Sequence, residues 1–277
     1  MTRDEQSLLE EKYGGSETPE FERDRKRLAE DEPLAYVIGH QPFLGLNIFL
    51  DSKPLIPRPE TEWWTEQLIK HLQAAQASPI EERTEHDGAS QSNFPAGKYA
   101  VPKEGSPVRT LTFLDLCAGS GAIGCAAMKE LPSAKVFFGD IDPAHEATIR
   151  KNIRENGLDE SRATIGIGDL FEPFDNMTFD VIASNPPYVP ASRKLPKSVA
   201  EHEPKIALLA GEDGLDVIRR IAEELPRRLT KGGVAWIECD RGHTEAAAAL
   251  FSAQELAAEI RNDQYDKPRI IVVHPVR

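Results

Sequence analysis

Three cysteines, Cys117, Cys125 and Cys239, are too few and too far apart to staple this chain. Their number is odd and no two stand in C-x-x-C spacing, so they read as reduced thiols of an intracellular protein. Seven histidines show no H-E-x-x-H or comparable ligand spacing, and no metal is expected. No apolar run approaches the ~18–20 residues that cross a bilayer. The opening stretch, MTRDEQSLLEEKYGG, is acidic and has no apolar centre, so it reads as neither a signal nor a transit peptide. Positive charge is short too: 33 Lys and Arg against 46 Asp and Glu leave a formal net charge of −13. A protein that lives on nucleic acid normally carries a basic face that displaces counterions, so no direct nucleic-acid contact is expected. The expected partner is a small molecule or another protein, and the expected state is a soluble monomer. The expected location is the cytoplasm, or the mitochondrial matrix if the source is eukaryotic.

Residues 1–32 are charged all round and suggest a short solvated helix or a frayed arm. Within residues 32–62, FLGLNIFLD can fold back as a hairpin with Gly45 near the bend. PLIPRPETE then forms a proline-stiffened connection, and Thr61 is the candidate N-cap of the helix EWWTEQLIKHLQ. Residues 74–109 are rich in Ser, Gly, Pro and charge and lack periodicity, which suggests a flexible insertion. The chain therefore divides into a substrate-side part at 1–73, the insertion at 74–109, and a regular part at 110–277.

From residue 110, strand and helix alternate. TLTFLDL, KVFFGDID, ATIGIGD, FDVIASN, VAWIECD and RIIVVHP are strands. GAIGCAAMKEL, AHEATIRKNIREN and HTEAAAALFSA are helices, the second stopped by Gly157. LDVIRRIAEELPRRL is a helix interrupted at Pro226, and Gly232-Gly233 turns it into the next strand. Several strands are apolar on both faces, the mark of an α/β fold with a mostly parallel, doubly wound sheet under helices.

In such a sheet ligands sit beyond the carboxyl ends of the strands. The first strand runs into LDLCAGSGAIG, where Gly119 and Gly121 let the backbone turn tightly and approach a ligand. The second ends at Asp140, a carboxylate able to accept from ribose hydroxyls. The third ends at Asp169 and Leu170, an acid and an apolar side chain suited to an adenine edge and face. A nucleoside ligand follows. Cys117 stands where a G-x-G-x-G loop has its first glycine, which weakens the loop as a signal. Two things favour S-adenosylmethionine over NAD: the G-x-G-x-x-G spacing is missing, and the fourth strand ends in an Asn-Pro-Pro-Tyr run.

The fourth strand runs into Asn185-Pro186-Pro187-Tyr188. Prolines forbid continuation of a ladder, so carbonyl acceptors are left over and held still. Asn185 adds a side-chain acceptor, and Tyr188 can lie flat on a planar group. Such a site suits methylation of a planar –NH₂, whose lone pair is delocalised. Positioning by fixed acceptors is the help that it needs.

These residues resemble the amino-methyltransferases of the class I S-adenosylmethionine-dependent superfamily, which carry (N/D/S)-P-P-(Y/F/W). More narrowly, the chain resembles the HemK/PrmC family, the release-factor glutamine N5-methyltransferases. EPLAYVIGHQPFLGLNIFLDSKPLIPRPETE matches that family's hairpin and its R-P-(E/D)-T-E block at Arg58 to Glu62, and HEPKIALLAGEDGLDVIRRI matches its E-P-x-x-A-L-x-x-G-x-D-G-L segment. The resemblance covers most of residues 32–276, the insertion excepted. It implies a seven-stranded sheet. It also implies S-adenosylmethionine bound by Cys117, Ala118, Gly119, Ser120, Gly121, Asp140, Asp169, Leu170 and Asn185. Asn185, Pro186, Pro187 and Tyr188 would hold a glutamine in the G-G-Q loop of a class I peptide-chain release factor, with Arg58 and Glu60 near the substrate mouth. The chain departs from the family in three places. Only 31 residues precede Glu32, Cys117 replaces a glycine, and the E-x-G after the fifth strand reads ECDRG, Glu238 to Gly242. Two other readings stay open: an amino-methyltransferase acting on a base of DNA or RNA, and a cofactor-binding scaffold without turnover.

Overall fold

The computed structural model describes residues 1–77 and 110–276. The expected insertion falls, from residue 78 to 109, outside the described residues; its first residues, 74–77, continue a helix.

Two capped helices open the chain, α1 (Arg3–Tyr13) and α2 (Pro19–Ala29). Thr2 and Glu5 form a reciprocal capping box on α1, and the Thr18 hydroxyl accepts from the Phe21 N–H at the start of α2. With α3 (Leu34–Ile38) they bury Leu8, Phe21 and Val37 completely. Asp24 joins them, accepting from Lys12 Nζ and Tyr13 Oη at 2.7 Å and from Arg27 Nη1 at 2.8 Å. Residues 1–32 are thus neither a frayed arm nor one solvated helix. Caps and one shared acid hold a very small core.

Strands β1 (His40–Phe43) and β2 (Leu46–Phe49) form the expected hairpin. Leu44 (φ 47°) and Gly45 (φ 71°) both take positive φ, as a two-residue type I′ turn requires. Helix α4 (Pro59–Ala77) starts on a proline, which suits a first turn because its missing N–H is not needed there. Thr61 therefore lies inside the first turn and is not the N-cap.

The main sheet alternates with helices in chain order: β3 (Thr112–Leu116), α5 (Ala122–Glu130), β4 (Lys135–Asp140), α6 (Ala144–Glu155), β5 (Ala163–Ile167) and β6 (Phe179–Ser184). There follow α7 (Lys197–His202), α8 (Asp216–Arg228), β7 (Leu229–Glu238), α9 (Thr244–Ser252), β8 (Leu256–Asn262) and β9 (Pro268–Pro275). The sheet has seven strands in the order β5-β4-β3-β6-β7-β9-β8, with β9 antiparallel to both its neighbours. Chain direction across the sheet reverses between β3 and β6, which places a crevice at their carboxyl ends.

Two local expectations change. Pro226 falls in the last turn of α8 and does not break it. Gly232 and Gly233 lie within β7, beside a register irregularity against β6, and not in a turn before it. A Cβ on Gly233 would come 3.0 Å from the Phe179 carbonyl oxygen.

One face of the sheet packs α8 and α9, and the other packs α5, α6, α4 and the hairpin. Trp64 of α4 is fully buried and stacks on Trp236 of β7, ring centroids 6.4 Å apart. The hairpin and α4 therefore share one core with the sheet.

Close approach of α5 to β4 depends on Gly124, where a Cβ would stand 2.2 Å from Phe138 Cε1. Gly124→Ala should destabilise the fold by about 1–3 kcal/mol through overpacking, measured by urea unfolding. An unchanged midpoint would show that Phe138 has room to move.

Candidate active site

Beyond β3 the chain must turn sharply to enter α5. Cys117 does so at φ 60°, Gly119 at 54° and Gly121 at 77°. The position of the replaced glycine thus keeps a left-handed backbone, and cysteine adopts it. Burial raises the Cys117 thiol, and the Asp140 charge adds to this, so it stays protonated and serves as wall, not nucleophile.

Asp140, at the end of β4, fastens the turn. Its Oδ2 accepts from the Gly119 N–H at 2.7 Å and its Oδ1 from the Asp142 N–H at 2.9 Å. Each oxygen keeps a further lone pair. Leu170, after β5, is buried at φ 50°. Asp169 beside it is not a free acid: its Oδ2 accepts from Arg220 Nη2 of α8 at 2.7 Å.

These residues border a cavity of about 260 Å³, lined among others by Cys117, Gly119, Asp140, Asp169, Leu170, Asn185 and Pro187. Ala118, Ser120 and Gly121 build the turn and are not among the lining residues; Gly121 N–H donates to the Ala118 carbonyl at 2.7 Å. Several lining residues were not foreseen, and two of them are exposed apolar side chains. Ile141 and Ile206 are 48% and 56% exposed, and both border the cavity. Ile141 directly follows the strand-end acid, which was the available signal.

Asn185, Pro186, Pro187 and Tyr188 follow the last rung of β6, where Ser184 faces Ile237 of β7. The segment is then held from the far side. Val189 N–H donates to the Leu208 carbonyl at 2.8 Å, and Ala210 N–H donates to the Val189 carbonyl at 3.0 Å. Asn185 Nδ2 donates to Thr61 Oγ1 at 3.1 Å, while Asn185 Oδ1 is buried without a hydrogen-bond partner among the described residues. Tyr188 Oη donates to Glu238 Oε1 at 2.9 Å. Burial first, and then the Glu238 charge, push the phenol well above its ordinary range, so it remains a donor. Its hydroxyl is therefore engaged by Glu238.

Glu238 is 1% exposed and takes two more donors on Oε2, Thr61 Oγ1 and Trp64 Nε1, both at 2.7 Å. The altered turn after it, CDRG, is held by an ion pair between Arg193 and Asp240. Arg58 does not line the cavity. Its Nη2 donates to buried Glu203 Oε1 at 2.5 Å, and Glu203 Oε2 accepts from the Ile56 N–H at 3.3 Å. The pair ties the R-P-E-T-E block to the E-P segment, whose next residues, Ile206, Ala207 and Leu209, border the cavity. Glu60 is half-buried, and its charge is felt by Arg269.

Residues 102–202 match the family model described as the methyltransferase small domain. The chain is 33% identical to the release factor glutamine methyltransferase of Geobacter sulfurreducens over 228 residues, 82% of this chain and 67% of that protein. It is also 33% identical to the protein of the same description from Chlamydia trachomatis serovar L2, over 83% of this chain and 68% of the relative. The chain belongs to the release factor glutamine methyltransferase family. A second description occurs among its relatives: the ribosomal protein uL3 glutamine methyltransferase of Bradyrhizobium diazoefficiens, 33% identical over 78% of this chain and 60% of that protein. Among solved structures, the T. thermophilus 16S rRNA N2 G1207 methyltransferase, in complex with AdoMet and guanosine, has a TM-score of 0.50 at 16% identity. It covers 86% of this chain and 50% of its own. That likeness concerns the fold, and it agrees with the class I methyltransferase sheet described above. Among the described residues no helix is long and apolar enough to cross a membrane, and no group of His, Cys, Asp and Glu could hold a metal ion.

Methyltransferase membership implies S-adenosylmethionine as the methyl donor. The residues present fit such a group. A turn at positive φ leaves Gly119 open on the cavity, Asp140 keeps one lone pair on each oxygen, and Leu170 and Ile141 supply apolar walls.

Asp115 of β3 was also missed by sequence reasoning. It is fully buried, accepts from the Gly124 N–H at 2.8 Å through Oδ2, and leaves Oδ1 without a partner. Burial pushes its carboxyl well above the usual range, and the Asp140 charge adds to this. A raised folded pKa gives stability that is complete below the unfolded value, about 3.9, and is lost as pH rises toward the folded value. Asp115→Asn should therefore raise the thermal midpoint at pH 7 more than at pH 4. An equal change at both pH values would contradict the assignment.

Proposed function

We propose that this chain transfers a methyl group from S-adenosylmethionine to the side-chain amide nitrogen of a protein glutamine, the one in the Gly-Gly-Gln loop of a class I release factor. The observation that carries this reading is Asn185 Oδ1: a buried acceptor with no partner among the described residues, on a residue that lines the same cavity as Asp140 and Gly119. An orphan of that kind costs about 1–3 kcal/mol. A substrate –NH₂ would remove the cost.

The donor, when bound, supplies an electrophilic methyl group. Asp140 would accept from its ribose hydroxyls, the Cys117–Gly121 turn would lie along it, and Leu170 and Asp169 would meet the adenine. An amide nitrogen is a poor nucleophile because its lone pair is shared with the carbonyl. Asn185 Oδ1 and the carbonyl of Pro186 would accept its two hydrogens, hold the group still and help localise the lone pair. Tyr188 would offer its ring to the amide plane, its angle set by Glu238. No base is needed before attack, since the nitrogen turns acidic once methylated and then loses a proton to solvent. Arg58 would frame the mouth through the segments that it ties, with Glu60 nearby in the chain. We assign residues 1–73 to the substrate side and residues 110–277 to the methyltransferase domain. The bacterial relatives favour a cytoplasmic setting.

An acceptor aimed at –NH₂ would also serve an exocyclic base nitrogen. The net charge of −13 and the hairpin with its R-P-E-T-E block weigh for the protein substrate.

Incubation with S-adenosylmethionine and a class I release factor should add the mass of one methylene to the Gly-Gly-Gln peptide, read by mass spectrometry. An unmodified peptide, or methylated RNA in a parallel assay, would count against the reading. Asn185→Ala should lower turnover by about 10²-fold or more with cofactor affinity nearly kept. Asp140→Ala should instead raise the cofactor Kd by about 10-fold or more, measured by calorimetry.

A further inference from the structure

The expected N-cap, Thr61, has a different use. A carboxamide has an oxygen end that accepts and a nitrogen end that donates, of nearly the same size. Shape alone does not hold Asn185 one way round. A threonine hydroxyl does not suffice either, because it can donate as well as accept. Here Thr61 has one proton and that proton is committed: Oγ1 donates to Glu238 Oε2 at 2.7 Å. A carboxylate only accepts, and Glu238 is held in place by Trp64 Nε1 on the same oxygen and Tyr188 Oη on the other. Thr61 Oγ1 is left with lone pairs alone for Asn185, and receives Nδ2 at 3.1 Å. The amide oxygen is thereby fixed at the opposite end, where it has no partner.

We propose that Thr61 is a positioning residue for methyl transfer, polarised by Glu238 so that the Asn185 carboxamide keeps its oxygen available to the substrate nitrogen. The proposal rests on the reading of Asn185 as the grip on that nitrogen. With the amide reversed, an N–H pair would face the N–H pair of the substrate, and a donor would repel a donor. The relay joins the first turn of α4, the end of β6 and the end of β7. Its function is to set a hydrogen-bond polarity and not to touch substrate.

The test uses the full chain with S-adenosylmethionine and a release factor carrying Gly-Gly-Gln. Thr61→Val keeps shape and removes the hydroxyl. It should lower kcat by about 10- to 100-fold with the cofactor Kd within about 3-fold of the parent. Thr61→Ser, which restores the hydroxyl, should recover kcat to within about 5-fold. Should Thr61→Val not fold, Thr61→Cys carries the same comparison, since a thiol fills the site but is a weak hydrogen-bond partner. Parent-like kcat in the valine or cysteine variant, or a serine variant as impaired as valine, would overturn the relay. Loss of turnover in Asn185→Ala alongside a normal Thr61→Val would sink the relay and leave the grip standing. Full turnover in Asn185→Ala would instead remove the grip itself.

Discussion

A single buried carboxylate, Glu238, holds this site together. Its removal from water is costly, and burial is tolerated only where donors fill its lone pairs. Three donors do so: Thr61 and Trp64 from α4, and Tyr188 from the proline loop. A positive charge, Arg269 on β9, lies within electrostatic reach. Each donor is itself buried or half-buried, so removal of the carboxylate would strand three polar groups at once. These bonds tie α4 and the strand-end loop of β6 to the end of β7.

Backbone strain also marks the other side of the cavity. Cys117 and Leu170 both adopt positive φ without being glycine. An L-residue in that region costs about 1–2 kcal/mol. Both lie just past strand ends and line the cavity, where a backbone held in a sparsely populated region shapes the wall. The bonds from Gly119 to Asp140 and from Ala118 to Gly139 stabilise the turn against relaxing. Cysteine at position 117 takes a left-handed backbone of the kind that a glycine favours.

The parallel sheet was legible because its central strands are buried on both faces and read as plain apolar runs. The strand-end residues followed from it, since strand ends are where such a sheet binds ligands. Asn185 was legible because two prolines cannot prolong a strand. The N-terminal helices were not, because few apolar residues, Leu8 and Phe21 among them, stand in the charged stretch and their caps become visible only once the helices are placed. Strand β8, LAAEIRN, was missed because an edge strand with small and charged residues gives a weak alternation. Thr61 was read as a cap because a threonine before an apolar helix usually is one; Pro59 moved the start two residues earlier. The partnership of Glu238 could not be read at all, since its donors stand 50, 174 and 177 residues away in sequence.

Helix α6 then joins the two halves of the site. Along one of its faces Thr148, Asn152 and Asn156 stand four residues apart, and each bonds the backbone near the hairpin. Ser52 N–H donates to Thr148 Oγ1, Phe49 N–H to Asn152 Oδ1 and Asn47 N–H to Asn156 Oδ1, at 3.2, 2.7 and 3.0 Å. Asn152 and Asn156 return bonds to the Phe49 and Asn47 carbonyls, so two side-chain amides pair the free edge of β2 as a neighbouring strand would. Asn152 Nδ2 also reaches the Ser120 carbonyl in the glycine turn at 2.8 Å. Asn152 thus bonds both the hairpin and the glycine turn. A shift of the hairpin by the length of a hydrogen bond would be felt at Ser120. The hairpin-and-α4 block and the glycine turn are therefore held to one geometry by α6 on one flank and by Glu238 on the other, and fixed geometry is what the proposed transfer needs when the nucleophile is weak.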